Sequence, residues 1–206
     1  MLYNLDLNMK KGEMVMVMGP SGSGKTTLLN IMGGIDKANQ GAVRIADHDL
    51  MALDAKGLNA FRRNKVGFIF QFYNLIPTLT ATENVELGLE SIIKNKKEMR
   101  KRAVKYLKLV GLEDKLKNFP QELSGGQQQR VAVARALAKE PAIILADEPT
   151  GNVDEAREQQ IMQLMNRLQH ELHITFLVVS HNRRLEQYVD RTLILRRGCL
   201  TPEVNN

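Results

Sequence analysis

Apolar positions along the chain fall into two rhythms. Compact runs occur at Met14–Met18, Val66-Gly-Phe-Ile-Phe70, Ala142–Ala146, Ile174–Val179 and Thr192–Leu195. Their length and polar or glycine boundaries predict buried strands. Between them the spacing becomes helical. Thr27-Leu-Leu-Asn-Ile-Met32 follows the first run after a glycine-rich stretch and stops at Gly33-Gly34, and Asp54 to Arg63 reads as a second helix. Met99, Ala103, Tyr106, Leu107 and Val110 predict an amphipathic helix over 97–110, ended by Gly111. Ser124 is an N-cap candidate for a helix with Val131, Ala134 and Leu137 on one face, closed by Lys139-Glu-Pro141. Ile161, Leu164, Met165, Leu168 and Leu172 mark one more helix. Leu2, Leu5 and Leu7 suggest a strand-like start, and Gly41–Ile45 a short strand. Strands alternating with helices predict an α/β fold with a mainly parallel sheet. From 72 to about 140 the pattern is helical throughout, so that stretch is expected to form its own lobe. The expected organisation is one domain over 1–206, with 1–73 and 138–206 as the core and 74–137 as a helical subdomain.

Composition narrows this picture. The chain of 206 residues suits one domain, and 43% hydrophobic with 25% charged residues is ordinary for a globular protein. One cysteine, Cys199, excludes an internal disulfide framework and fits a reducing compartment. No apolar run approaches the ~18 residues of a membrane span. Asp6, Lys10, Lys11 and Glu13 stand where a signal peptide would be apolar. The expectation is a cytosolic protein, or one peripheral to a membrane built by other chains. The net charge of +6 is concentrated in Lys94, Lys96, Lys97, Arg100, Lys101 and Arg102, and in Arg62, Arg63 and Lys65. A solvated helix face is the first reading of such clusters, anionic lipid the second and nucleic acid the last. With 5% aromatics there is little to stack on bases.

Gly19-Pro-Ser-Gly-Ser-Gly-Lys-Thr26 sits between the first strand and the first helix, the order a phosphate-binding loop requires. Glycines 19, 22 and 24 let backbone amides approach an anion, and the helix starting at Thr26-Thr27 points its positive end there. Pro20, Ser21 and Ser23 complete the cradle. Lys25 adds a charge for the β- and γ-phosphates, and the Thr26 hydroxyl can ligate Mg²⁺. An accidental match arises in roughly one chain in a hundred of this length, and the strand–helix context lowers that further.

Ile143-Ile-Leu-Ala-Asp147-Glu148 places two carboxylates at the end of a buried strand. There Asp147 can hold a metal and Glu148 can face an attacking water, as γ-phosphate hydrolysis needs. Gln71 lies at the end of another strand, where open α/β sheets hold ligands. Leu123-Ser124-Gly125-Gly126-Gln127 is a second glycine turn opening a helix. A head-to-tail dimer would use both phosphate sites, whereas an isolated chain could use the second merely as a helix cap.

Taken together, Gly19–Thr26, Gln71, Leu123–Gln127, Asp147-Glu148, Asp154 and His181 resemble, in order and spacing, the ATP-binding subunits of ABC transporters. The resemblance covers nearly the whole chain. Residues 67–77, 81–86, 123–132 and 145–151 look like the branch serving lipoprotein-release, macrolide-export and division-associated complexes. It implies a homodimer or paired subunits enclosing two ATP molecules with Mg²⁺, docked on an integral membrane permease at the cytoplasmic face of the membrane, without nucleic acid. It further implies that Gln71 contacts Mg²⁺ and links to the membrane partner. Ser124, Gly125, Gly126 and Gln127 would reach the other copy's γ-phosphate, and Asp154 would communicate across the dimer. Glu148 would activate water and His181 would bond the γ-phosphate. Residues 72–90 are expected to receive a helix of the membrane partner, with Glu83 and Glu86 contributing.

Three departures stand out. Family members usually begin with an extra strand bearing an aromatic that stacks on adenine. This chain starts Met1-Leu2-Tyr3, so the first strand is expected to be missing, Tyr3 is not assigned to stacking, and ATP affinity is expected to be micromolar or weaker. Val153 stands where leucine is usual and Asn182 where aspartate is common. Among other classes, chromosome and repair ATPases carry long coiled coils for which 72–122 leaves no room. Translation-associated ATPases carry two cassettes in tandem. A non-hydrolysing regulatory subunit is disfavoured by Lys25 and Glu148.

Overall fold

A computed structural model describes residues 2–202. Its sheet has six strands: β1 (Met14–Met18), β4 (Val66–Phe70), β5 (Ile143–Asp147), β6 (Thr175–Val179), β7 (Arg191–Arg196) and β8 (Cys199–Pro202). The spatial order is β4-β5-β6-β1-β7-β8. All neighbours pair parallel except β7 and β8, which form an antiparallel hairpin. Every residue of β1 is buried, because helices cover both faces of the sheet. Alternation along β1 divides the core: Val15 and Val17 join Leu28, Leu29, Leu58 and Phe61 of α1 (Lys25–Met32) and α2 (Ala55–Lys65). Met14, Met16 and Met18 face the other layer, with Val131 and Leu137 of α5 (Gly125–Ala138) and Ile161 and Met165 of α6 (Glu155–Leu172).

The helical stretch resolves into α3 (Ala81–Leu89), α4 (Lys96–Leu109) and α5, which pack on one another. Alpha-5 also lies on β4, so closely that a Cβ at Gly67 would sit 3.0 Å from the Ala136 carbonyl oxygen. Side-chain caps set the helix starts. Asp54 accepts from the Gly57 amide, Asn95 from the Lys97 amide, and Thr80 and Glu83 cap each other reciprocally at α3.

Three expectations change. Leu2, Leu5 and Leu7 do not form a strand; they pack, partly buried, against the core layer that includes residues of α1 and α2, while the Tyr3 amide donates to the Gly198 carbonyl. The strand at 41–45 shrinks to β2 (Arg44–Ile45), paired with β3 (His48–Asp49) in a separate antiparallel hairpin. The last strand acquires the unexpected partner β8. Among the described residues no helix is long and apolar enough to cross a membrane.

Candidate active site

The sheet's register assembles the site. Phe70 pairs with Asp147 and Asp147 with Val179, so Gln71, Glu148 and Ser180 emerge side by side at the C-terminal edge. Val17 pairs with Val179, bringing the loop after β1 to the same edge. The result is a cleft of about 530 Å³ lined by Lys25, Thr26, Gln71, Phe72, Asp147 and Glu148 among others.

The loop's conformation requires its glycines. A Cβ on Gly19 would collide with the Leu195 carbonyl oxygen, and Gly22 and Gly24 hold φ of 75° and 103°. Because Gly24 offers no capping side chain, the amides of Lys25, Thr26 and Thr27 have no acceptor among the described residues. Ser23 Oγ is likewise buried without a partner. Unclaimed donors at a helix start fit an anion with several oxygens, which is the shape of a phosphate chain. Lys25 Nζ donates to the carbonyls of Gly19 and Pro20 at 2.8 and 3.0 Å, which ties the ammonium across the loop.

Thr26 Oγ1 donates to Asp147 Oδ2 at 3.2 Å, so hydroxyl and carboxylate meet at one point. Burial pushes the Asp147 carboxyl above its ordinary pKa; adjacent Glu148 adds to the rise, while Thr26 and Lys25 oppose it. Glu148 has a left-handed backbone, φ 45°, with its amide donating to the Val179 carbonyl. That turn directs its carboxylate to Ser180 Oγ, which donates at 3.1 Å, and to His181 Nδ1 at 2.8 Å. His181 therefore sits on Glu148, with its ring 74% exposed, and does not line the cleft.

Ser124, Gly125, Gly126 and Gln127 lie elsewhere. Ser124 caps α5, with its Oγ accepting from the Gln127 amide and its own amide donating to Gln127 Oε1. Ser124 and Gly126 line a second cavity, of about 370 Å³, shared with Arg130 and Arg157. Asp154 caps α6 and pairs with Arg157 at 2.7 Å. Within one chain, the phosphate loop and the second glycine turn thus face different cavities.

Several residues at the site have no role assigned from the sequence. Asn152 donates to the Gln71 carbonyl at 2.8 Å and receives the Gln71 Nε2 at 3.4 Å. Tyr73 donates to the Asn152 carbonyl, and Arg135 holds the carbonyls of Tyr73 and Asn74, both of which have positive φ. These links join loops far apart in the chain, so no local spacing announces them.

A sheet with this order, a glycine loop feeding α1 and paired carboxylates at the tip of β5 define a phosphate-loop nucleotide-binding domain. A family profile described as ABC transporter matches residues 2–151. The ABC transporter ATP-binding protein MJ0796 of Methanocaldococcus jannaschii is 50% identical, over 96% of this chain and 86% of its own length. The lipoprotein-releasing system ATP-binding protein LolD of Cytophaga hutchinsonii is 42% identical, over 97% of this chain and 91% of its own. Among solved structures, the dimeric post-hydrolysis state of MJ0796 bound to ADP and Pi superposes with a TM-score of 0.87 at 47% identity, covering 99% of this chain and 90% of that one. CbiO1 of Clostridium perfringens, part of the ABC transporter complex cbiONQ, gives 0.89 at 30% identity, over 97% and 80%. The chain belongs to the ABC transporter family.

Proposed function

We propose that this chain is the ATP-hydrolysing subunit of an ABC transporter complex, in which two copies close head to tail over two ATP molecules. The observation that carries this reading is the separation just described: a complete phosphate and carboxylate cluster in one cleft, and a second glycine-opened helix start in another. The related cassette MJ0796 is dimeric in two solved structures, one of them bound to ADP and Pi, which supports the same arrangement.

In this reading the amides of 25–27 and the Lys25 ammonium bind the phosphate chain. Thr26, Asp147 and Gln71 supply oxygen ligands only, a donor set that suits Mg²⁺. Mg²⁺, when bound, neutralises charge on the β- and γ-oxygens. Glu148 takes the proton from the attacking water, its carboxylate oriented by Ser180 and His181. His181 acts on the γ-phosphate as well if its ring turns from Glu148. Ser124 Oγ accepts within its own cap, which leaves its hydroxyl proton free for the other copy's γ-phosphate. Asp154, tied to Arg157, sits at the contact between copies. Residues 74–137 move as a subdomain relative to the core.

The membrane partner docks near 72–90, which places the protein peripherally on the cytoplasmic face of the membrane. Ile76 and Leu87 are each 42% exposed there and offer apolar contacts. Glu83 and Glu86 serve mainly inside the chain: Glu83 in the α3 cap, Glu86 against Arg100 at 3.3 Å. A part in lipoprotein release follows only by similarity to LolD.

The test is Mg-ATP hydrolysis by the parent and by Glu148→Gln, with size exclusion alongside. Removal of the base should lower turnover by about 10² to 10⁴, while ATP holds the variant as a dimer. Undiminished turnover in Glu148→Gln refutes the assignment of the base.

A further inference from the structure

The basic cluster at 94–108 is arranged more specifically than a generally solvated surface requires. Alpha-4 buries Ala103, Tyr106 and Leu107 against its neighbours, so the opposite side faces outward. At about 100° per residue, Lys97, Lys101, Lys105 and Lys108 fall within an arc of roughly 80° centred on that outward side. All four are exposed. Val104 lies at the edge of the same arc, and Leu109 flanks it.

Charge pairing follows the helix's circumference. On one flank Arg100 pairs with Glu86 at 3.3 Å. On the other, Arg102 lies between Glu98 at 3.8 Å and Glu140 at 3.7 Å. The outward lysines have no carboxylate within ion-pair distance among the described residues; Lys105 makes only a ring contact, 5.1 Å from the Tyr106 centroid. Both flanks are neutralised while the crest is not. Arg100, Lys101, Val104, Lys105, Lys108 and Leu109 also bound a shallow groove of about 590 Å³ floored by the lysine stems and the two apolar side chains.

We propose that this outward face of α4 is an interfacial contact for anionic phospholipid, made by the cassette itself and additional to docking on its protein partner. Four cations on one face, with apolar stems and Val104 beneath them, match a layer of phosphate headgroups over acyl chains. A single-stranded nucleic acid would call for exposed aromatics, and Tyr106, the aromatic nearest the crest, is buried. The choice of lipid rests on the transporter reading, which keeps the chain beside a membrane. Each lysine near an anionic surface adds to the attraction, and the field decays within a Debye length of about 8 Å at physiological salt.

The experiment is flotation of the purified full chain with protein-free vesicles of phosphatidylcholine alone or with 30% phosphatidylglycerol, and with free inorganic phosphate as competitor. The expected result is binding only to the anionic vesicles, weakened by raised salt and little changed by millimolar phosphate. The quadruple variant K97E/K101E/K105E/K108E should bind at least a hundredfold less. The double variant K97Q/K101Q, which removes charge without reversing it, should fall between. Basal ATP hydrolysis and melting temperature are read on the same samples. Equal binding of parent and both variants, no binding by the parent, or displacement by free phosphate would each overturn the proposal. So would a lysine-dependent preference for single-stranded RNA over anionic vesicles. Failure of hydrolysis with intact lipid binding would count against the motor reading alone.

Discussion

Replacing Gly151 by alanine should separate stability from catalysis. A Cβ at this position would stand 2.8 Å from Gln71 Nε2 and 3.1 and 3.2 Å from its Cδ and Cγ. The backbone of Gly151 is not in the left-handed region, so the new methyl brings no dihedral strain of its own. The neighbour that must yield is one flexible side chain, pushed about 0.6 Å to restore ordinary contact. A displaced rotamer of that kind costs about 1 kcal/mol. The link from Gln71 Nε2 to Asn152 is already long at 3.4 Å, so its loss adds little. The effect on chemistry is larger. Misplacing a positioning group by about 1 Å costs on the order of 10² in rate, so roughly tenfold is expected here. The assay is a thermal melt, nucleotide affinity by fluorescence titration, and steady-state hydrolysis on the same preparation. A small drop in melting temperature, near-normal affinity and about tenfold lower kcat would bear out the role of Gln71. Unchanged kcat would refute it, and a collapse in stability would show that the space is not merely Gln71's.

Other consequences follow from the same geometry. Burial pushes the Lys139 ammonium down to about 8, and its Nζ donates to the carbonyls of Arg62 and Val66, a pair that the neutral amine's two N–H groups also satisfy. In the unfolded chain its pKa is near 10.5, so between about 8 and 10.5 the unfolded state binds more protons and stability contributed by this residue rises with pH. The melting temperature of the parent relative to Lys139→Met should climb over that range, and a flat difference would contradict the assignment. Thr80→Ala removes a hydroxyl that accepts from the Glu83 amide and donates to its carboxylate at 2.6 Å, and should destabilise α3 by about 1 kcal/mol in denaturant melts. Glu83→Lys should show the same loss, because Glu83 is occupied by the cap. Leu87→Ser, in contrast, should weaken capture by the membrane partner with an unchanged melt; equal capture would move the docking surface elsewhere.

The sheet strands were legible because apolar runs of four to six residues leave few alternatives once a phosphate loop fixes the fold class. Beta-8 was not, since Cys199-Leu-Thr-Pro202 lacks such a run and is defined by pairing with β7. The leucines near the start alternate like a strand, yet their burial comes from lying across the core rather than from a ladder. At the site, residue types and their places at strand ends single out Lys25, Thr26, Gln71, Asp147 and Glu148, which line one cleft. Their supports, Asn152, Ser180 and Tyr73, are ordinary loop residues whose importance lies in contacts between distant segments. The sequence motifs include His181, but its place on the Glu148 carboxylate follows only from the β5–β6 register.

The central claim, that each catalytic site is shared between two copies, is tested most directly by mixing two inactive variants. Lys25→Ala disables the phosphate loop of its own chain. Gly126→Asp disables the second helix start, where an added Cβ meets only ordinary contacts with the Arg157 side chain, the nearest atom at 3.4 Å. If sites are composite, an equimolar mixture forms hybrid dimers with one intact loop facing one intact helix start. Hydrolysis should then recover to roughly a quarter of the parent rate, as random pairing of symmetric dimers dictates. A mixture as inactive as its separate components, although cross-linking shows that hybrids form, would contradict the shared site.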